Sequence, residues 1–255
     1  MTVPSGEEFD PRALAARFAS LEKSRKKAPT ADFTLPATLR DAMDAQNFLV
    51  AEERISKPAW KVAMSPDGQA VTAPLHPYFE ASSGASIAWQ PGMKFEAEIA
   101  VRLGKDIPVR QDGSYTRPEM IEAIAEVHLG AELLASSITE SGAVSFLLYL
   151  AERIGNKGYV LGPVLPKGVI DTIGSTPLKV THGAEVIYNG LAKHPKDDVL
   201  TWLLAYANDK LRPHTSLKKG ALITTGTLCG AIELQGPGLI EIVHDGSTRL
   251  SLAIV

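Results

Sequence analysis

The segment from Lys94 to Asp106 constrains the fold most strongly, because apolar and polar residues alternate along it. A β-strand has a two-residue period, so its apolar side chains face one side while Glu96 and Glu98 face the other. With a rise of roughly 3.3 Å per residue, the Cα atoms of the two glutamates lie about 6.6 Å apart. The segment therefore predicts a strand that carries two neighbouring carboxylates on one face.

Two ionised carboxylates at this spacing repel each other unless a proton or a cation relieves the repulsion. On composition alone, the commoner interpretation of Glu96 and Glu98 is the solvated face of a half-exposed sheet. A third acid favours a metal site instead, because Glu132 lies in the apolar run Val127–Ala135, where an unpaired charge is strongly destabilising. Since oxygen ligands suit Mg²⁺ and Mn²⁺, we predict that the three glutamates bind one such ion.

Composition excludes several classes of protein. The 255 residues, 45% of them hydrophobic and 22% charged, suffice for one sizeable core with a helical appendage. With a net charge of −3 and no basic stripe, we expect no binding to nucleic acid or to membranes. There is no signal-peptide pattern and no apolar run approaching ~18 residues. The single cysteine, Cys229, excludes an intrachain disulfide, so we expect a cytoplasmic protein.

Catalytic signatures of common enzyme classes are absent from the sequence. It contains no G-x-S-x-G elbow, P-loop, G-x-G-x-x-G or H-E-x-x-H motif, which disfavours serine hydrolases, nucleoside triphosphatases, dinucleotide enzymes and zincins. Cys229 follows a glycine-punctuated threonine run, and this setting is more typical of a small core residue than of a nucleophile.

The chain changes character near Pro58. Before it, helical spacing of apolar residues predicts helices over Pro11 to Lys23 and Thr38 to Glu53. After it, short apolar runs broken by proline and glycine predict strands with interspersed helices. We therefore expect a mixed α/β (α+β) protein in which residues 1–56 form a helical segment and residues 57–255 form the catalytic domain.

The individual elements follow from the same patterns. The predicted strands are Trp60–Met64, Lys94–Leu103, Val127–Ala135, Tyr159–Val164, Pro177–Thr181, Glu185–Asn189, Leu222–Thr225, Leu239–Val243 and Arg249–Val255. The predicted helices beyond residue 57 are Arg117–Glu126, Ala143–Ile154 and Asp198–Asn208.

Other polar residues have both a structural and a functional interpretation. Lys61 interrupts a short apolar strand, either as a surface lysine or as a desolvated amine that transfers protons near neutrality. His76 and His194 each precede a proline, as turn residues or as functional histidines. Thr225 and Thr227 lie near a glycine, where they are either strand residues or a cradle for a substrate carboxylate.

Seven short segments follow one another along the chain in a characteristic order and spacing. They are Asp41–Gln46, Trp60–Met64, Phe95–Pro108, Ala131–Ser137, Tyr159–Gly162, Asn189–Pro195 with Trp202–Leu204, and Leu217–Thr227. Together they resemble the 2-keto-4-pentenoate hydratase and 4-oxalocrotonate decarboxylase group of the fumarylacetoacetate hydrolase superfamily. The similarity spans about residues 38 to 253.

This resemblance implies a fold and a chemistry. The fold is a mixed, rolled β-sandwich that holds Mg²⁺ or Mn²⁺ through Glu96, Glu98 and Glu132. Lys61 becomes an acid/base residue, and the turn from Thr224 to Thr227 lines the substrate pocket, to which we also assign His194. By analogy with strand-rich relatives, we expect a homo-oligomer.

The sequence also departs from the family pattern. Relatives usually carry an aspartate in a Pro-Asp-Phe-Gly-like segment, whereas the corresponding stretch here is Pro74-Leu-His-Pro-Tyr-Phe79. The family's Glu-Ile-Val-Asp-Ser-Arg becomes Glu132-Leu-Leu-Ala-Ser-Ser137. Because an acid/base carboxylate is replaced, we predict that His76 carries protons together with Lys61.

The resulting hypothesis is a metal-dependent lyase of aromatic-compound degradation. It hydrates a 2-hydroxy-2,4-dienoate, such as 2-hydroxypenta-2,4-dienoate, to a 4-hydroxy-2-oxo acid through an enolate. Decarboxylation of a 2-oxo diacid and C–C hydrolysis of an acylpyruvate use the same enolate and are the alternatives within the family. Two non-enzymatic alternatives are a protein that binds metal or a 2-oxo acid without turnover, and a structural protein with solvated glutamates.

Overall fold

The computed structural model describes residues 9–54, 59–81, 84–140 and 144–255, and it contains two compact units. The first consists of the described parts of Met1–Ser56 and Ser136–Gly155, and the second of those of Lys57–Ala135 and Asn156–Val255. The helices are α1 (Pro11–Ser24), α2 (Leu39–Glu52), α3 (Arg117–Ala123), α4 (Phe146–Ala151), α5 (Val169–Thr172) and α6 (Thr201–Ala207). The strands are β1 (Ala59–Met64), β2 (Ala70–Leu75), β3 (Tyr78–Glu80), β4 (Ser86–Ile87), β5 (Lys94–Leu103), β6 (Ile124–Leu134), β7 (Asn156–Leu165), β8 (Pro177–His182), β9 (Glu185–Leu191), β10 (Leu222–Thr227), β11 (Ile232–Glu233), β12 (Gly238–His244) and β13 (Thr248–Ile254).

The first unit contains the helices α1, α2 and α4. Helix α1 begins where the Asp10 side chain accepts a hydrogen bond from the Arg12 backbone N–H at 2.8 Å, and α2 begins with a capping box formed by Thr38 and Asp41. The apolar stripe that predicted α1 is buried, as Phe18 illustrates. Both N-terminal helices thus form where the sequence predicted them. The segment 136–155 packs in this unit, although the sequence placed it with residues 57–255; the domain boundaries themselves stay predictions.

The second unit contains two β-sheets. The eight-stranded sheet has the order β2-β1-β10-β5-β6-β7-β3, with β11 paired to β5, and the five-stranded sheet has the order β4-β13-β12-β8-β9. Most pairs are antiparallel, while β1–β10, β3–β7 and β4–β13 are parallel. Buried residues of both sheets, such as Phe95 and Leu129 in one and Ile240 in the other, join a single hydrophobic core. The mixed α+β class is confirmed.

All nine predicted strands are present, with ends that differ by a few residues. The strands β2, β3, β4 and β11 were not predicted. Strand β2 contains Pro74, which lacks a backbone N–H, and β2 lies at the edge of its sheet, where proline is tolerated.

The three predicted helices beyond residue 57 are shorter in the structure. Thr116 and Glu119 form the expected capping box, but α3 ends at Ala123 because β6 starts at the next residue. The proposed start of another helix, Ala143, lies outside the described residues. None of the helices in the described ranges has both the length and the hydropathy needed to span a bilayer.

Candidate metal centre

Strands β5 and β6 bring the three predicted ligands together at the centre of the larger sheet. The strands pair in antiparallel register, with Glu96 opposite Glu132 and Glu98 opposite Gly130. Side chains of directly opposed residues lie on the same face of a sheet. One ligand oxygen from each of the three glutamates lies within 4.8 Å of the other two. The alternation in β5 thus places its two carboxylates beside the third, as metal ligation requires.

Burial makes this cluster unlike a solvated sheet face. Glu98 is 1% exposed and Glu132 is fully buried, while Glu96 is partly exposed. Burial, partly offset by the Lys61 ammonium, raises the pKa of Glu96 to about 7. Burial and the negative charges of Glu132 and Glu96 raise the pKa of Glu98 well above its usual range. Confining three carboxylates here is therefore costly, and the Lys61 ammonium offsets only part of that cost.

Two carboxylate oxygens identify where such a cation fits. Oε2 of Glu98 and Oε2 of Glu132 are buried, and neither has a hydrogen-bond partner among the described residues. Leaving a buried acceptor unsatisfied costs about 1–3 kcal/mol, and more when it is charged. Carboxylate oxygens are the preferred ligands of hard divalent cations. The donor set and its unsatisfied oxygens fit a divalent metal ion.

Lys61 contacts the cluster directly. It lies on β1, which pairs in parallel with β10 and places Lys61 opposite Thr224. Lys61 is 7% exposed, and its Nζ donates a hydrogen bond to Oε1 of Glu132 at 2.7 Å. Lys61 is thus a buried ammonium beside a candidate metal ligand, and its predicted role in proton transfer stays a prediction.

Asn156 is a site residue that the sequence analysis missed. This fully buried side chain begins β7, and its Nδ2 donates to Oε1 of Glu132 at 2.9 Å. Its Oδ1 accepts the backbone N–H of His76 at 2.8 Å. Oε1 of Glu132 therefore receives two hydrogen bonds, from Lys61 and Asn156, while Oε2 receives none from the described residues. Asn156 also fixes the main chain of His76 relative to the carboxylates.

Tyr159 is the second residue that was missed. It lies on β7 opposite Glu132, and its ring crosses β6 above Gly130, where a Cβ would overlap the phenol oxygen. Burial, with a smaller contribution from the charges of Glu98 and Glu132, raises the pKa of Tyr159 well above its usual range. The nearest sequence signal was Gly130 itself, an interior strand glycine two residues before Glu132.

Comparisons with known proteins address the fold that holds this site. Neither a protein-family profile nor a curated protein sequence matches the chain. The solved 4-oxalocrotonate decarboxylase of Pseudomonas putida G7, complexed with magnesium and adipate, superposes with a TM-score of 0.76 at 18% identity. The superposition covers 96% of this chain and 97% of that chain.

Two further solved structures are similar over a smaller share of the chain. The maleylpyruvate hydrolase of Sphingobium sp. SYK-6, in complex with manganese(II) and pyruvate, gives a TM-score of 0.51 at 16% identity, covering 78% of this chain and 69% of that chain. The 2-hydroxyhepta-2,4-diene-1,7-dioate isomerase of Mycobacterium marinum gives 0.50 at 17% identity, covering 79% and 75%. All three structures belong to one superfamily.

The chain has the fold of the fumarylacetoacetate hydrolase superfamily. The resemblance stated from the sequence is confirmed at the level of the fold. The solved decarboxylase also occurs in a complex with calcium and acetate. These neighbours therefore bind divalent metals, and the glutamate cluster on the same fold here can hold one.

Within this superfamily fold, the predicted threonines lie at the end of β10. The hydroxyl of Thr225 is buried and donates to the backbone carbonyl of Ile99 at 3.1 Å. Thr227 lies opposite Glu98, and its hydroxyl donates to the carbonyl of Gly230 at 3.2 Å. Both hydroxyls thus support the local backbone, and a role in holding a substrate carboxylate stays a prediction.

His194 supports the same turn. Its Nε2 lies 2.9 Å from the carbonyl oxygen of Thr225, and its Nδ1 accepts the backbone N–H of Lys196 at 3.2 Å. This pattern requires the proton on Nε2, and burial lowers the pKa of His194, so the ring is neutral at pH 7. The structure brings His194 to Thr225 through the backbone; its assignment to substrate binding stays a prediction.

The environment of Cys229 disfavours its thiolate form. Its Sγ accepts the backbone N–H of Ala97 at 3.4 Å, and burial raises the pKa of the thiol to about 11. Because the thiolate is the nucleophilic form, the protonated thiol agrees with the structural interpretation of this residue.

Proposed function

We propose that the chain is a divalent-metal-dependent lyase that acts on a small 2-oxo acid or its enol, with Mg²⁺ or Mn²⁺ held by Glu96, Glu98 and Glu132. The observation that carries the proposal is the pair of buried, unsatisfied carboxylate oxygens on Glu98 and Glu132, beside the ammonium of Lys61. When bound, the ion would supply a Lewis acid that polarises the oxygens of a 2-oxo acid and favours its enolate.

The protein's own contribution is to position and protonate the substrate. Lys61 is held at hydrogen-bond distance from Glu132, and we assign it the role of donating a proton to a substrate carbon and regaining one from solvent or from a neighbouring acid. His76 is the second proposed proton carrier, and Asn156 holds its backbone. Glu132 accepts from both Lys61 and Asn156, which fixes the carboxylate in one orientation.

The first reaction to test is hydration of 2-hydroxypenta-2,4-dienoate. The C2 hydroxyl loses its proton and C5 gains one, giving a 2-oxo-3-enoate whose C4 is electrophilic. The oxygen of water then bonds to C4 and gives up one of its protons, while C3 gains a proton, so that one water molecule in total is added and the 4-hydroxy-2-oxo acid forms. Lys61 and His76 are proposed to transfer these protons.

Decarboxylation of a 2-oxo diacid is the second candidate. It is supported by the similarity to 4-oxalocrotonate decarboxylase, which extends over almost the whole of both chains. The C–C bond to the departing carboxylate breaks, carbon dioxide leaves, and its bonding electrons form an enolate that a single donor protonates. This reaction needs no base to activate water, so Lys61 alone can serve it.

The decisive experiment incubates purified protein with Mn²⁺ or Mg²⁺ and a 2-hydroxy-2,4-dienoate, a 2-oxo diacid or an acylpyruvate. Product masses distinguish addition of water, loss of carbon dioxide and C–C cleavage. We expect turnover of one class by the wild type and none by the Glu132→Gln variant. Binding of Mn²⁺ and oxalate without any turnover would instead support a non-catalytic binding protein, and failure to bind either metal would reject the proposal.

A further inference from the structure

The hydroxyl of Tyr159 makes no hydrogen bond to the described part of the protein. The side chain is completely buried, and its hydroxyl has no hydrogen-bond partner among the described residues. A buried, unsatisfied hydroxyl destabilises a fold, whereas phenylalanine would fill the same volume without that cost. The Tyr159 hydroxyl is therefore a buried hydrogen-bond donor without an acceptor among the described residues.

Its position points to the carboxylate site. Tyr159 faces Glu132 across the β6–β7 ladder, and its phenol oxygen lies above Gly130, which faces Glu98 across the β5–β6 ladder. Directly opposed residues have Cβ atoms about 4.5–5.5 Å apart on the same face. The hydroxyl thus lies on the face that carries Glu98 and Glu132, whose Oε2 atoms are unsatisfied as well.

The Tyr159 hydroxyl differs in hydrogen-bonding chemistry from the Oε2 atoms of Glu98 and Glu132. A phenol with a pKa of 10 or more carries its proton at neutral pH, so it can donate a hydrogen bond there. The two Oε2 atoms are acceptors, and they are the atoms suited to the cation. The hydroxyl of Thr224 on β10 is also buried without a hydrogen-bond partner among the described residues, so this face holds more polar groups than the described protein satisfies. An acceptor oxygen that enters with the ligand would satisfy the phenol.

We propose that Tyr159 is a substrate-binding residue whose hydroxyl donates a hydrogen bond to an oxygen of the bound 2-oxo acid. This inference rests on the proposed function and adds a contact that favours acids with an oxyanion at this position. Gly130 permits the contact, because any side chain there would displace the ring.

The test compares Tyr159→Phe with the wild type in two titrations, Mn²⁺ into metal-free protein and oxalate into Mn²⁺-loaded protein. We expect the Mn²⁺ dissociation constant to stay within about twofold, while oxalate affinity falls about tenfold. The metal-free variant should melt at the same temperature as the wild type or higher, because it no longer buries an unsatisfied hydroxyl. The matched control is Tyr188→Phe, which removes a hydroxyl bonded to the Leu191 carbonyl at 2.6 Å and should change neither titration.

Unchanged oxalate affinity in Tyr159→Phe would overturn the assignment, and so would equal losses of Mn²⁺ and oxalate affinity, since these would show a role in the metal site or the fold. If the wild type binds no Mn²⁺, the proposed function fails and this inference with it. A crystal structure of the wild type with Mn²⁺ and oxalate gives a second readout that needs no variant. We expect the Tyr159 hydroxyl within about 3 Å of an oxalate oxygen, and a longer distance would contradict the proposal.

Discussion

Strands β5 and β12 have the same alternating sequence pattern but opposite environments. In β12, Ile240 and Ile242 are buried while Glu241 between them is exposed, so the strand has one buried and one solvent-exposed face. In β5, the residues between the apolar positions include the buried Glu98 and Ala100 and the partly buried Glu96, and Glu98 is 1% exposed. Period-two alternation therefore identifies a strand and its two faces, but it does not show that the polar face meets water.

The difference arises from the position of each strand. Strand β5 lies between β10 and β6 near the middle of the larger sheet, and the face that bears its glutamates also bears Lys61 of β1, Glu132 of β6 and Tyr159 of β7. A glutamate on the exposed face of β12 costs nothing to solvate. On β5 the same residue type must be compensated, and this requirement makes the β5 face a candidate site.

The largest effect is expected from Lys61→Met, which breaks the buried ion pair with Glu132. Removing one partner of a buried pair leaves the other charge uncompensated and costs about 3–5 kcal/mol of unfolding free energy. We expect this loss in denaturant melts of metal-free protein, together with a loss of turnover. Saturating Mn²⁺ should stabilise the variant more than the wild type, because the cation replaces the lost positive charge. Equal stabilisation of both proteins would show that Lys61 and the metal do not share Glu132.

The second prediction concerns Glu98→Gln, which keeps the shape of the side chain and removes its charge. We expect Mn²⁺ affinity to fall by more than about 100-fold, since a ligand of the ion is lost. Metal-free stability should be unchanged or higher, because the variant no longer confines a third carboxylate in the cluster. Isothermal titration with Mn²⁺ and thermal melts measure the two effects. A large loss of metal-free stability with intact Mn²⁺ binding would contradict the metal role.

The third prediction tests Asn156 as a positioning residue. Asn156→Leu removes a donor to Glu132 and the acceptor of the His76 N–H, so we expect about tenfold weaker Mn²⁺ binding and a loss of about 1–3 kcal/mol in stability. Asn208→Leu is the matched control, because that side chain bridges both backbone groups of Tyr115 in the same unit. It should lose similar stability and keep its Mn²⁺ affinity. If both variants bind Mn²⁺ equally, Asn156 serves only the fold.

The smallest effect is expected from Glu241→Gln on the exposed face of β12. Substitutions at such positions usually change stability by no more than about 0.5 kcal/mol, and Mn²⁺ affinity should not change. Denaturant melts and the same metal titration check both statements. A larger change in unfolding free energy or in Mn²⁺ affinity would show that Glu241 is not simply solvated. The contrast between β5 and β12 would then be smaller than their burial indicates.

Local sequence predicted the parts of the site that depend on local periodicity. The alternation of β5 placed Glu96 and Glu98 on one face, and the apolar surroundings of Glu132 marked it as unusual. Asn156 and Tyr159 could not be found this way, because they reach the site only through pairing of β7 with β6. That ladder contains register shifts near Gly130 and Leu134, which no local pattern encodes. Burial of the second face of β5 likewise depends on distant strands.

Titration of metal-free wild-type protein with Mn²⁺, beside the Glu98→Gln variant, tests the central claim most directly. Glu96, Glu98 and Glu132 should bind one Mn²⁺ ion per chain, and this binding should raise the melting temperature of the wild type. The variant should lose both the binding and the stabilisation. Absence of Mn²⁺ binding by the wild type, or binding that Glu98→Gln leaves intact, would contradict the account.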